Sequence, residues 1–250
     1  MRMFNPAVFT GVFYAHRGLY DNHAGVPENS LPAFRAAAEK GYGVELDVQL
    51  SSDGAVVVFH DDTLDRICGV RGDVIDYRLE QLQQMKLLDT EESMPLFTDV
   101  LAVLSEGAGP LIVELKSGKR NDELCEKTRN LLRDYPGIYC VESFDPGIVS
   151  WFRKNAPEII RGQLAQPAGD YAAGMNPLLA RMLSRCRFSF LNKADFIAYK
   201  IGFRPARVLR KRKKGVLLIA WTSRDYRKDA KENDGVIFEY CAPPPRYKDL

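Results

Sequence analysis

G-V-E-L-D-V-Q-L-S-S-D-G-A-V-V-V-F-H-D-D-T-L-D-R, residues 43–66, decides how the rest of the chain is read. Its first half alternates, with Glu45, Asp47 and Gln49 on one face and Leu46, Val48 and Leu50 on the other, because successive side chains of a strand point to opposite sides. Two carboxylates therefore project together. The apolar run 56–59 returns after Ser51-Ser52-Asp53-Gly54, a link far shorter than the roughly dozen residues a parallel crossover needs, so the two runs are predicted to form an antiparallel hairpin. Folding about Ser52-Asp53 sets His60 opposite Glu45, where directly opposed Cβ atoms lie about 4.5–5.5 Å apart. An imidazole beside an acidic pair can serve a metal ion. Alternating acids also describe the wet face of a half-exposed sheet, so the surrounding chain has to decide.

Working outward, apolar runs and amphipathic segments alternate. Strands are predicted over 12–15, 43–50, 111–115, 139–143, 159–164, 188–192, 216–222 and 235–239. Helices fall between most of them, over 30–40, 97–106, 122–133, 146–155, 176–185 and 204–214, the first capped by Asn29 or Ser30 with Pro32 in its opening turn. Residues 61–95 are polar and turn-rich, with one short amphipathic piece near 79–85, and read as an excursion. With 55–60 taken as the return arm of the hairpin, eight parallel strands alternate with helices. That pattern predicts a (β/α)8 TIM barrel with a small insertion after strand two, at about 50–95, containing the His60 hairpin arm.

A barrel strand has one face toward the interior and one toward helices, which removes the wet-face reading of Glu45 and Asp47. Leu46 and Val48 suit the helix side. The carboxylates then lie inside, near the end of the barrel where active sites sit, and buried carboxylates require a partner.

Composition fits that picture. The 250 residues suit one domain, 1–250, and 46% hydrophobic with 27% charged residues is ordinary for a globular protein. A net charge of +2 carries no electropositive field of the kind that binds nucleic acid. The five cysteines are dispersed, without a C-x-x-C pair, which argues against a disulfide framework or zinc site and for a cytoplasmic location. The apolar N-terminal stretch includes Asn5 and Pro6 and runs into His16-Arg17-Gly18, so it reads as a barrel strand and not as a secretory signal.

The C-terminal ends of the predicted strands bring together His16 and Arg17, Glu45 and Asp47, Glu114 and Lys116, Ser143 and Phe144, Trp221 and Thr222, and Glu239, with His60 from the hairpin. Glu45, Asp47 and Glu114 offer hard oxygen ligands without a thiolate, favouring a divalent metal, Mg2+ or Ca2+. Arg17 and Lys116 beside such an ion make a phosphate site. His16 and His60 can exchange protons near neutral pH. Together these groups describe phosphodiester cleavage. Trp221 and Phe144 are candidates for a substrate-pocket wall, and His23 for plain surface.

H-R-G at 16–18, E-N-S at 28–30, E-L-D-V at 45–48, V-F-H-D-D-T-L-D-R at 58–66, E-L-K at 114–116, S-F at 143–144, W-T at 221–222 and D-G-V-I-F-E at 234–239 resemble the glycerophosphodiester phosphodiesterase family, in order and over nearly the whole chain. The resemblance implies hydrolysis of a small-molecule glycerophosphodiester to glycerol 3-phosphate and an alcohol. It implies a metal on Glu45, Asp47 and Glu114, phosphate contacts from Arg17 and Lys116, and acid/base roles for His16 and His60. By analogy with the related phosphoinositide-specific phospholipases C, His16 is the base and His60 the acid. Glu239 departs from the Asp that often ends the family's last strand.

With no evident protein nucleophile, the glycerol hydroxyl next to the phosphorus-bearing oxygen is the expected attacking group. Two other readings are a phospholipase D acting on lysophospholipids, which needs an apolar groove, and a metal- and phosphate-binding module without turnover. The pair His16/His60 speaks against the second, since binding alone needs no acid and base. The basic run between Arg204 and Lys214 is expected to be the solvated face of a helix with Val208 and Leu209 inward. Otherwise it offers weak contact with anionic membrane, at about 1 kcal/mol per basic residue.

Overall fold

Eight parallel strands close on themselves in the computed structural model, which describes residues 4–250 of the chain. The strands are β1 (Val12–His16), β2 (Gly43–Leu50), β4 (Leu111–Leu115), β5 (Tyr139–Ser143), β6 (Arg161–Ala165), β7 (Phe196–Lys200), β8 (Leu217–Ser223) and β9 (Gly235–Phe238). Strand β1 pairs in parallel with both β9 and β2, which seals the ring. The short β3 (Val56–Val58) lies antiparallel on the far end of β2, beyond the three residues that β1 occupies. The expected (β/α)8 barrel is therefore present.

Strand alternation explains the closure. Phe13, Ala15, Val44, Leu46 and Val113 face outward against the helices, while Val12, Tyr14, Ile112, Cys140 and Ile219 fill the interior. The barrel floor is packed by setting aromatic rings against glycines. A Cβ on Gly162 would lie 2.1 Å from the Phe196 ring, and one on Gly43 would lie 2.6 Å from Tyr14. The outer layer is α1 (Leu31–Glu39), α4 (Phe97–Leu104), α5 (Asn121–Arg133), α6 (Pro146–Asn155), α7 (Pro177–Ser184), α9 (Ala206–Arg212) and α10 (Tyr226–Glu232). Ser30 caps α1 with Pro32 in its first turn, as the sequence suggested.

Between β3 and α4 the chain makes the expected excursion, with the short helices α2 (Asp65–Cys68) and α3 (Leu79–Gln84). It is built around a small core of its own that includes Phe59, Leu64, Ile67, Val74 and Leu82.

Four local expectations are corrected. The sixth barrel strand is not 188–192, where the chain forms the helical turn α8 (Ser189–Asn192), but β7, Phe196–Lys200. F-S-F-L alternates as a half-exposed strand would, and Phe190 is 68% exposed. F-I-A-Y-K instead pairs on both sides, and a strand covered on both faces reads as a continuous apolar run. The hairpin register pairs Val48 with Val58, one residue away from the register that would oppose His60 to Glu45. Ser51 N–H donates to Ala55 O at 3.0 Å, which leaves a three-residue turn, Ser52-Asp53-Gly54, with Gly54 at φ +83°, in place of a fold centred between Ser52 and Asp53. Helix α10 was not anticipated from its polar sequence. Leu209, expected inward with Val208, is 42% exposed, while Val208 is fully buried.

Candidate active site

Strand order and alternation bring the charged residues of β1, β2, β4 and β5 into one quadrant of the barrel mouth. Asp47 lies beside Glu114 in the β2–β4 register, and Glu114 beside Glu142 in the β4–β5 register. All are buried, as is Glu45. Ligand atoms of Glu45, Asp47 and Glu114 lie within 4.8 Å of one another.

Each carboxylate is oriented by a sequence motif. Arg17 adopts a left-handed conformation, φ 53°, which turns its backbone N–H to donate to Glu45 Oε2 at 3.2 Å. Gly18 follows at φ +82°, where a Cβ would lie 2.8 Å from the backbone of Ala33, so H-R-G needs its glycine. Asn29, also left-handed, donates its side-chain amide to Asp47 Oδ2 at 2.9 Å. Lys116 Nζ lies 3.0 Å from Glu114 Oε1 and 3.4 Å from Asp47 Oδ1.

These contacts separate the four acids electrostatically. Burial pushes Asp47 up, but Lys116, His60 and Arg17 outweigh it and hold its carboxyl far below the usual range. Burial first, and then neighbouring carboxylates, push Glu45 and Glu142 well upward, and burial also raises Glu114 despite Lys116. Glu142 Oε2 is buried without a hydrogen-bond partner among the described residues. Carboxylates outnumber the cations facing them, and all offered donors are hard oxygens, so a divalent cation of the Mg2+ or Ca2+ type fits the residues present.

The two histidines flank this centre. His16 Nδ1 is 3.1 Å from Glu239 Oε2, and its Nε2 is 4.0 Å from Glu45 Oε2. Burial lowers the His16 pKa against the opposing pull of Glu239, so the ring is neutral at pH 7 with Nδ1–H donating to the carboxylate. Hydrogen bonds from His16, Arg224 and Tyr20 overcome burial and hold Glu239 at about 2. His60 Nδ1 is 2.6 Å from Asp61 Oδ1, and His60 is close enough to influence both Asp47 and Glu114.

His60 lies beyond the last residue of β3, so side chains hold it. Gln49 donates its amide to the carbonyls on either side, Phe59 O and Asp61 O, each at 2.9 Å. Arg66 clamps Asp61 with Nε at 2.7 Å and Glu28 with Nη2 at 2.7 Å. Glu28 in turn accepts from Arg17 Nη1 at 2.5 Å. An unbroken chain thus runs from His60 through Asp61, Arg66, Glu28 and Arg17 to the centre, because Arg17 Nε is 3.5 Å from Asp47.

Phe144, directly after β5, and Trp221, on β8, meet edge to face with ring centroids 5.6 Å apart. Beyond Phe144 a cavity of about 620 Å3 extends between α6 and α7, lined by Tyr171, Met175, Leu179, Leu183 and Leu191.

Every sequence-derived candidate residue therefore falls at the mouth. The reading missed Gln49, Glu142 and the supporting roles of Glu28, Arg66 and Glu239. Alternation along C-V-E-S could have exposed Glu142, since Cys140 faces inward two residues earlier. Gln49 shares the strand face of Glu45 and Asp47, so the same alternation points at it, whereas the roles of Glu28, Arg66 and Glu239 depend on partners mostly distant in the chain.

Fold and site together define a TIM barrel with an acidic, histidine-flanked centre at its mouth. The chain belongs to the Glycerophosphoryl diester phosphodiesterase family, whose sequence model matches residues 16–240. It is 34% identical over 157 residues to a glycerophosphodiester phosphodiesterase of Bacillus altitudinis, covering 58% of this chain and 63% of that one. It is 38% identical over 111 residues to one of Caldanaerobacter subterraneus, covering 42% of this chain and 44% of the relative. The match thus spans less than two thirds of either relative. Among solved structures, a phosphodiesterase from Oleispira antarctica in complex with the product sn-glycerol-3-phosphate superposes with a TM-score of 0.77 at 22% identity, covering 98% of both chains.

Proposed function

We propose that the protein hydrolyses glycerophosphodiesters to glycerol 3-phosphate and an alcohol, with His16 and His60 as acid/base pair and Glu45, Asp47 and Glu114 holding a divalent metal. The observation that carries this reading is the placement of two imidazoles, each with a carboxylate on Nδ1, beside a buried cluster of three carboxylates and Lys116. With Nδ1 engaged, Nε2 of each ring is the atom free for proton transfer. Family membership and the product in the Oleispira neighbour support the same substrate class.

A cation held by Glu45, Asp47 and Glu114 would supply Lewis-acid neutralisation of phosphate charge. Lys116 and the Arg17 guanidinium orient phosphate oxygens. His16, neutral and partly exposed at the mouth, takes the proton of the glycerol hydroxyl adjacent to the phosphorus-bearing oxygen. That oxygen bonds to phosphorus while the bond to the alcohol breaks, and His60 delivers a proton to the departing alcohol oxygen. Water then opens the cyclic glycerophosphate with the two histidines in exchanged roles. Holding the hydroxyl against phosphorus makes attack effectively unimolecular, an advantage of roughly 7–11 kcal/mol in the best-aligned cases.

The test compares glycerophosphocholine with its 2-deoxy analogue and follows products by phosphorus NMR. A transient cyclic product from the first and negligible turnover of the second are expected. Equal rates for both would show that water attacks directly. The apolar cavity behind Phe144 favours a second reading, action on lysophospholipids, whose acyl chain that cavity could receive. Faster turnover of lysophosphatidylcholine than of glycerophosphocholine would establish it, and a strong preference for the latter would dismiss it.

A further inference from the structure

Charge is unevenly distributed along this chain. Residues 181–214 hold twelve of its 35 Lys and Arg and one of its 33 acids, Asp195, which leaves 23 basic against 32 acidic residues elsewhere. The stretch wraps one side of the barrel, from α7 through α8 and β7 to α9. There a cavity of about 680 Å3 is lined by Arg181, Arg185, Arg187, Arg207 and Arg210, with Phe203 among the lining and no carboxylate. Lys200, Arg204 and Arg212 have acidic partners in Asp170, Glu232 and Asp234. Among the described residues the five cavity arginines have none. Like charges so close repel, and Lys211 is pushed below its ordinary pKa by burial and then by Arg207.

Among the described residues, the same sector carries the most exposed of the large apolar side chains. Phe203 is 83% exposed, Phe190 68% and Leu178 66%. Phe203 follows the C-terminal end of β7, and Leu178 stands in the first turn of α7 after the loop from β6, so both lie on the side where the barrel opens.

We propose that the α7–α9 sector docks this protein on an anionic lipid surface, its arginines on the headgroups and Leu178 and Phe203 in the interface, with the barrel mouth toward the lipid. Charge complementarity selects an anionic partner. The exposed apolar groups select lipid over nucleic acid, because a phosphodiester backbone would engage the arginines and leave Phe203 and Leu178 in water. A second copy of the chain joined by a two-fold axis through this sector would oppose arginines to arginines. The basic helix face expected from the sequence accounts for only part of the surface. Arg204 and Arg212 of that run are ion-paired, and Arg181, Arg185 and Arg187 come from an earlier element. The inference does not rest on the proposed reaction, since binding is read without turnover.

The experiment is co-sedimentation of the whole protein with vesicles of pure phosphatidylcholine and of equimolar phosphatidylcholine and phosphatidylglycerol. Binding only to the anionic vesicles is expected, weakening steeply with added salt. The double variant R185A/R207A should bind about 25-fold more weakly, at about fivefold per arginine near an anionic surface. Phe203→Ser should weaken binding by at least about tenfold. Both variants should keep the wild-type unfolding midpoint, since all three side chains are exposed. No binding of the wild type to anionic vesicles, equal binding to both compositions, or full binding by the variants would overturn the proposal. So would equally tight binding of a DNA duplex with Phe203→Ser changing neither interaction, which would identify a general polyanion surface.

Discussion

His16 and His60 face the same centre and are held by different means. His16 is the last residue of a barrel strand hydrogen-bonded on both sides, and one carboxylate, Glu239, is enough to set its ring. His60 lies past the end of a three-residue strand. It depends on Gln49 for its backbone and on the Asp61–Arg66–Glu28 chain for its ring. The sheet fixes a side chain through cooperative backbone pairing, whereas the insertion fixes one through hydrogen bonds that are individually worth about 0.5–3 kcal/mol. The His60 side is therefore the one that single substitutions away from the ring can loosen.

The largest expected effect removes what both histidines share. Chelation should abolish activity, with Mg2+ or Ca2+ restoring it better than Zn2+, and full turnover by metal-free protein would dismantle the centre. Next, His16→Ala and His60→Ala should each lower kcat by ~10²–10⁴-fold while the fold persists. A variant with near-normal turnover would remove that residue from proton transfer.

The supports sharpen the contrast. Glu239→Gln should lower kcat by about 10–100-fold, the range typical for partners that orient an active-site imidazole, and leave the local backbone in place. Arg66→Ala and Gln49→Ala should give comparable kinetic losses and also speed amide hydrogen exchange at residues 59–61. If exchange there stays unchanged in both variants, the His60 arm is as rigid as a barrel strand and the contrast fails.

The smallest effect concerns stability. Burial opposes ionisation of Glu28, but Arg66, Arg17 and Asn22 hold its carboxyl at about 2, against an ordinary 4.5. A depressed pKa stabilises the fold fully above 4.5, and that contribution disappears as pH falls toward 2. The span corresponds to on the order of 3 kcal/mol. Urea unfolding of Glu28→Gln should show a flatter acid limb than the wild type, and identical limbs would separate Glu28 from acid stability.

Sequence alone determined the barrel, the excursion after strand two, and the convergence of His16, Arg17, Glu45, Asp47, His60, Glu114 and Lys116. Those features follow from periodicity and from short motifs whose residues act near where they are written: Gly18 beside Arg17, Asn29 and Ser30 at the start of α1, Glu45 and Asp47 two apart on one strand face. Tertiary structure decided which segment is the sixth barrel strand, because F-S-F-L and F-I-A-Y-K differ only in whether neighbours cover both faces. It also decided the hairpin register, which the three-residue turn Ser52-Asp53-Gly54 shifted by one. Only the folded chain shows that Glu239 serves His16 across 223 residues and that Glu28 joins Arg17 to Arg66. Partners so distant leave no mark on local pattern, since they are brought together by the order of strands around the ring.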